Sequence, residues 1–104
     1  MQITILQTTV NSDKTAQHIA GQLIKNKLSP CVQIIPNIKS IYKWKDKIEQ
    51  SEEIILIIKT TPQHVQRCKK YILDLHNYDI PEIIVTESTI ITDEYLEWFI
   101  ENTA

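Results

Sequence analysis

The run LHNYDIPEIIV, residues 75–85, sets His76, Asp79 and Glu82 at three-residue intervals in one short corner. An imidazole and two carboxylates suit a borderline divalent ion such as zinc, copper or nickel. The same His76 and Glu82 form the best pair in the chain for general-base work, with the carboxylate orienting the ring. The spacing H-x2-D-x2-E lacks the fixed ligand pairs of a strong zinc signature. An architectural reading stands beside the chemical one: Tyr78 and Pro81 build a turn, and Asp79 or Glu82 pairs with Lys59 or a backbone N–H. Cys31 is a further soft ligand if a neighbouring copy brings it to the corner, since copper(I) favours thiolates. Otherwise Cys31 and Cys68 are reduced, buried thiols, because free cysteine packs as a small hydrophobe. His18 and His64 read as exposed helix residues without partners.

A second set is aromatic. Tyr42 and Trp44 alternate onto one strand face. Tyr95 and Trp98, three apart, share a face of the last helix. Large aromatics with polar tips serve subunit contacts, and they also wall small-ligand pockets. In the second case Tyr42, Trp44, Lys59 and Tyr78 would line the pocket together with His76 and Glu82, where lysine, histidine and glutamate could bind a small anion or metabolite.

Composition narrows the chemistry. The 104 residues make a single domain, 1–104, large enough for a modest core. A formal charge of −2 argues against a sequence-independent nucleic-acid binder, which needs a basic surface. No apolar run approaches the roughly 18 residues of a membrane span. The opening residues MQITILQTTV read as a strand with no basic leader, so the cytoplasm is the expected compartment. The single glycine, Gly21, lies in a helical pattern, which excludes a Gly-rich phosphate loop. There is no nucleophile elbow and no metalloprotease helix. The chain therefore reads as a non-enzyme that requires no cofactor.

The elements that must hold these residues follow from periodicity. Residues 2–10 read as a strand. Asn11 or Ser12 caps a helix whose stripe is Ala16, Ile19, Ala20, Leu23, Ile24 and Leu28. Residues 31–48 form a long extended segment kinked at Pro36, with KDKIEQSEE as its polar turn and EIILIIKTT as the returning strand. Thr61 and Pro62 open a second helix with Val65, Cys68, Ile72 and Leu75 inward. A strand at EIIVTES and a short helix capped by Thr92 close the chain. The order βαββαβ plus a C-terminal helix is an α+β, ferredoxin-like arrangement: an antiparallel sheet with two helices on one face and a long hairpin between its second and third strands. Ile54 to Ile58 are apolar on both strand faces, yet the two main helices cover only one. The hairpin also outruns a compact domain of this size. Both features predict an oligomer.

Several blocks, in order, resemble the CutA family of divalent-cation tolerance proteins. CVQIIP resembles its Cys-Val-Asn-Ile-Ile-Pro block, SIYKWKDKIEQSEE its Ser-Ile-Tyr-x-Trp-x-Gly-Lys hairpin, and LIIKTT its Lys-Thr-Thr strand end. LHNYDIPE resembles its Leu-His-Pro-Tyr-Glu-x-Pro-Glu corner and EYLEWF its last helix. The resemblance covers essentially the whole chain. It implies a tight homotrimer similar in plan to the nitrogen-regulatory PII proteins, a part in tolerance of copper and other divalent cations, and no secure enzymatic activity. It also implies an alternative as a PII-like small-molecule sensor or trimeric adaptor with incidental metal binding, since animal relatives are associated with membrane anchoring of acetylcholinesterase. This chain departs from the pattern at Asn37 and Asp46, where glycine is common, and at Asn77 and Asp79, where proline and glutamate are. Asp79 has a carboxylate shorter by one methylene. The expectation is a weakly bound divalent cation, copper or zinc, with His76, Asp79, Glu82 and Cys31 as candidate ligands.

Overall fold

The computed structural model describes residues 2–104, with one four-stranded sheet and three α-helices among them. Strand β1 (Gln2–Val10) leads into α1 (Asp13–Lys25). Ser12 caps this helix, its Oγ accepting the Thr15 N–H at 3.1 Å, and Asp13 complements the helix dipole in the first turn. Strands β2 (Cys31–Trp44) and β3 (Lys47–Thr60) form the long hairpin. A 3-10 turn (Pro62–His64) precedes α2 (Val65–Leu75), and β4 (Ile84–Thr89) and α3 (Asp93–Glu101) complete the chain. The strand order is β2-β3-β1-β4 with every pairing antiparallel, the ferredoxin-like plan expected from the sequence.

Helices α1 and α2 cover one face of the sheet. Leu6, Leu56 and Ile58 from the strands meet Ile19, Leu23 and Ile72 from the helices, all fully buried. Each such side chain contributes about 1.5–3 kcal/mol by leaving water, so this layer is the main source of stability. The cap positions before the second and third helices differ from expectation. Neither Thr61 nor Thr92 makes a side-chain cap bond. Thr61 Oγ1 instead pairs with His64 Nδ1 at 2.6 Å. That contact buries His64, which the sequence reading had placed in solvent.

The hairpin turn is tighter than the sequence suggested. It consists of Lys45 and Asp46 alone, with φ of 50° and 65°, the paired left-handed conformation that matches strand twist. The residues KIEQSEE, read as turn, are therefore ladder: Trp44 pairs with Lys47 and Tyr42 with Glu49.

A bulge at Pro36–Asn37 decides which way the hairpin faces. Ile35 pairs with Ile55 but Ile38 pairs with Glu53, so two residues of β2 oppose one of β3. Asn37 takes φ 61° there, and Pro36, which has no N–H to donate, sits in the gap. One extra residue exchanges the two faces of everything beyond it. Cys31, Gln33 and Ile35 point away from α1 and α2, and after the bulge so do Tyr42 and Trp44, which then share a face with Glu53, Ile55 and Ile57.

This outer face is only partly covered. Lys59 Nζ donates to Tyr95 Oη at 3.2 Å and lies 5.4 Å from that ring's centre, which brings α3 against one end. Elsewhere Ile35 is 43% exposed and Ile84 50%, while Ile55 and Ile57 are half-buried. The described residues form an elongated body of 47 × 24 × 22 Å, and residues 41–50 of the hairpin are all exposed.

Candidate functional site

Helix α2 ends at Leu75, and His76 turns the chain: its N–H still bonds Ile72 O at 2.9 Å while its own backbone is extended. The imidazole then ties the corner to β1. Nε2 lies 2.8 Å from the carbonyl oxygen of Thr9, an acceptor only, so Nε2 donates. Nδ1 accepts the Tyr78 N–H at 3.1 Å. Both nitrogens of a neutral ring are thereby occupied, and no lone pair remains for a metal in this arrangement. The His76 and Tyr78 rings also contact, with centres 4.7 Å apart. His76 is thus the residue that aims Tyr78.

Tyr78 in turn reaches the sheet. Its hydroxyl donates to Glu53 Oε2 at 2.7 Å, a bond across 25 residues of chain. Burial pushes the Tyr78 hydroxyl well above its ordinary value, and the Glu53 hydrogen bond and charge push it further, so it remains a donor. Glu53 is 9% exposed. Burial pushes its pKa up, but hydrogen bonds from Ser40, Tyr78 and Thr9, with a smaller electrostatic contribution from His76, outweigh this and hold it below its ordinary value. Glu53 is a buried, ionised carboxylate.

Around Glu53 lies an open cavity of about 460 Å³ on the outer face. Tyr42, Trp44 and Tyr78 are its aromatic walls, and Glu52, Glu53, Asp79 and Glu82 its carboxylates. Thr9, Asn11, Ser51 and Ile80 complete it, so no lysine, arginine or histidine lines it. The structure therefore gathers Tyr42, Trp44, Tyr78, Asp79 and Glu82, five of the residues singled out by sequence. It does not gather Lys59, whose ammonium meets Tyr95. Neither Asp79 nor Glu82 pairs with Lys59, because the one ion pair among the described residues is the exposed Lys70–Asp74. Cys31 pairs in register with Lys59, six residues along β3 from Glu53, or about 20 Å at ~3.3 Å per residue. Among the described residues, no three His, Cys, Asp or Glu side chains converge as a ready-made metal site.

Sequence reasoning missed Glu53, the centre of the site. Glu53 ends the polar run KDKIEQSEE and opens the strand EIILIIKTT, and it was given no role; its signal is that it is in phase with Ile55 and Ile57 on one face of β3.

The fold and cavity define a class: a ferredoxin-like α+β fold carrying an acidic, aromatic-walled cavity on the sheet face left open by its two main helices. The profile of the CutA1 divalent ion tolerance proteins matches residues 4–102, and the chain belongs to that family. The divalent-cation tolerance protein CutA of Thermus thermophilus is 35% identical over 99 residues, covering 95% of this chain and 96% of that protein. The chloroplastic protein CutA of Arabidopsis thaliana is 33% identical over 95% of this chain, which spans 54% of that longer protein. The crystal structure of the divalent ion tolerance protein CutA1 from Ehrlichia chaffeensis superposes with a TM-score of 0.91 at 37% identity, covering 98% of this chain and 95% of that one.

Proposed function

We propose that the chain acts in tolerance of divalent cations as a homotrimer, holding copper or zinc weakly in the acidic cavity and carrying out no enzymatic step. The carrying observation is the cavity's lining: four carboxylates and no basic side chain. Such a site concentrates divalent cations by charge. Without three converging ligands it leaves the ion much of its water, which makes binding weak. Asp79 and Glu82 remain in the proposed ligand set, and Glu52 and Glu53 join it. His76 acts by aiming Tyr78, and Cys31 reaches such a site only from another subunit. The trimer is supported by the half-exposed isoleucines of the outer face and by the projecting hairpin, both of which need apolar cover. The proposed compartment is the cytoplasm, although the Arabidopsis relative is described as chloroplastic.

Calorimetric titration of the purified protein with copper(II) and zinc, beside Glu82→Gln, tests this. Saturable binding that weakens several-fold in a variant of unchanged mass is expected. Binding of neither metal would overturn it. The aromatic walls favour a second reading, a PII-like sensor that takes a small molecule in the same cavity.

A further inference from the structure

The unusual feature of the cavity is the state of its floor. A carboxylate buried to the degree of Glu53 ordinarily sits against a cation, because removing the charge from water is costly. Here the groups that hydrogen-bond to it are hydroxyls, which are neutral donors. Tyr78 Oη donates at 2.7 Å, the hydroxyls of Ser40 and Thr9 lie beside it, and the His76 ring bonds to the Thr9 carbonyl and the Tyr78 N–H and not to the carboxylate. No lysine or arginine lines the cavity. The carboxylate is hydrogen-bonded but makes no ion pair among the described residues.

The walls above Glu53 are of a kind that a bare metal ion does not need. Tyr42 and Trp44 are 44% and 42% exposed, held on this face by the bulge at Pro36–Asn37, and Tyr78 faces them across the cavity. Aromatic faces attract cations that carry little hydration, and they pack against hydrocarbon. A volume near 460 Å³ admits a molecule of several heavy atoms. A buried anion without an ion-pair partner, beneath aromatic walls and among further carboxylates, selects a ligand with both properties at once: positive charge and an apolar body.

We infer that the cavity binds a small organic ammonium ion, its positive centre over Glu53 and its hydrocarbon part between Tyr42, Trp44 and Tyr78. This rests on the small-molecule reading of the site and names the class of molecule. Asp79 and Glu82 at the rim add long-range attraction and select against anions. Divalent cations compete for the same carboxylates without using the aromatic walls.

The test uses the whole protein in its native assembly, in a Trp98→Phe background so that Trp44 is the sole tryptophan reporter. Tetramethylammonium is the probe. Its uncharged isostere tert-butanol and pivalate, an anion built on the same tert-butyl group, are the controls. Saturable quenching or shift of Trp44 emission by tetramethylammonium, at least tenfold tighter than by tert-butanol and absent with pivalate, is expected. Glu53→Gln and Trp44→Leu should each weaken binding about tenfold or more, read by calorimetry for Trp44→Leu. Circular dichroism separates loss of binding from loss of fold, and Trp44→Leu leaves the Glu53–Tyr78 bond in place if Glu53→Gln does not fold. Equal binding of tert-butanol and tetramethylammonium, or preference for pivalate, would overturn the ammonium inference while keeping a small-molecule site. No binding of any of the three would overturn both.

Discussion

Glu53 carries more of the site's behaviour than any other single residue, and its protonation has a consequence for stability. Its folded value lies below the ordinary 4.5, so the folded state binds this proton less readily than the unfolded chain. The stabilisation is complete above about pH 4.5 and is lost as pH falls through the folded value. Hydrogen bonds to a charged group contribute about 1.5–3 kcal/mol. Glu53→Gln is therefore expected to lower the urea midpoint at pH 7 by an amount equivalent to about 1–3 kcal/mol. The gap to the parent protein should narrow as pH falls below 4.5 and close as the folded carboxylate takes up its proton. A gap of constant size across that range would mean that the Glu53 charge is not what the hydroxyls stabilise. At this scale the sequence was only partly legible. Tyr78, Asp79 and Glu82 stood out because they crowd one corner. Glu53 did not, because what matters about it is burial, and burial of a carboxylate between a strand and a distant corner leaves no local pattern. His64 was misplaced for a related reason: its partner Thr61 looked like a helix cap but spends its hydroxyl on the ring.

The elements were legible to the extent that local rules governed them. Ser12 and Asp13 announced α1, alternation announced β1, and the unbroken apolar run Ile54–Ile58 announced the end of β3. The hairpin turn was not legible, because its two left-handed positions are held by Lys45 and Asp46 where glycine or asparagine would have marked them. Polar residues following the turn then looked like more of it, when they are the exposed rungs of a ladder that has left the core behind. The same substitution pattern stores strain. A non-glycine residue at positive φ costs roughly 1 kcal/mol, more for lysine than for aspartate. Asp46→Gly is expected to raise stability by about 0.5–1 kcal/mol per chain, read as an increase in melting temperature with unchanged mass. A lower melting temperature would show that the Asp46 side chain contributes more at the hairpin tip than the backbone loses.

For the whole molecule, the decisive quantity is how much apolar surface the outer face leaves to be covered. Ile57 is half-buried in one chain and opposite Gln7 and Gln33 in its neighbours' registers. In the proposed trimer it becomes core. Ile57→Ala should then cost about 2–5 kcal/mol and shift the mass measured by sedimentation toward the single chain. An unchanged mass and melting temperature would leave the outer face without a partner. The doubly apolar run from Ile54 to Ile58 made that need visible from sequence alone; which copy meets which surface depends on shape, and no residue pattern encodes it. The bulge between Ile35 and Ile38 bears on how such chains can diverge. Losing or gaining a single codon beyond it would act on the hairpin as a frameshift acts on a gene, turning Tyr42 and Trp44 to the opposite side while leaving every letter intact. Lineages that keep the cavity should therefore change length here only in pairs of residues, or else carry a second compensating bulge nearer the tip.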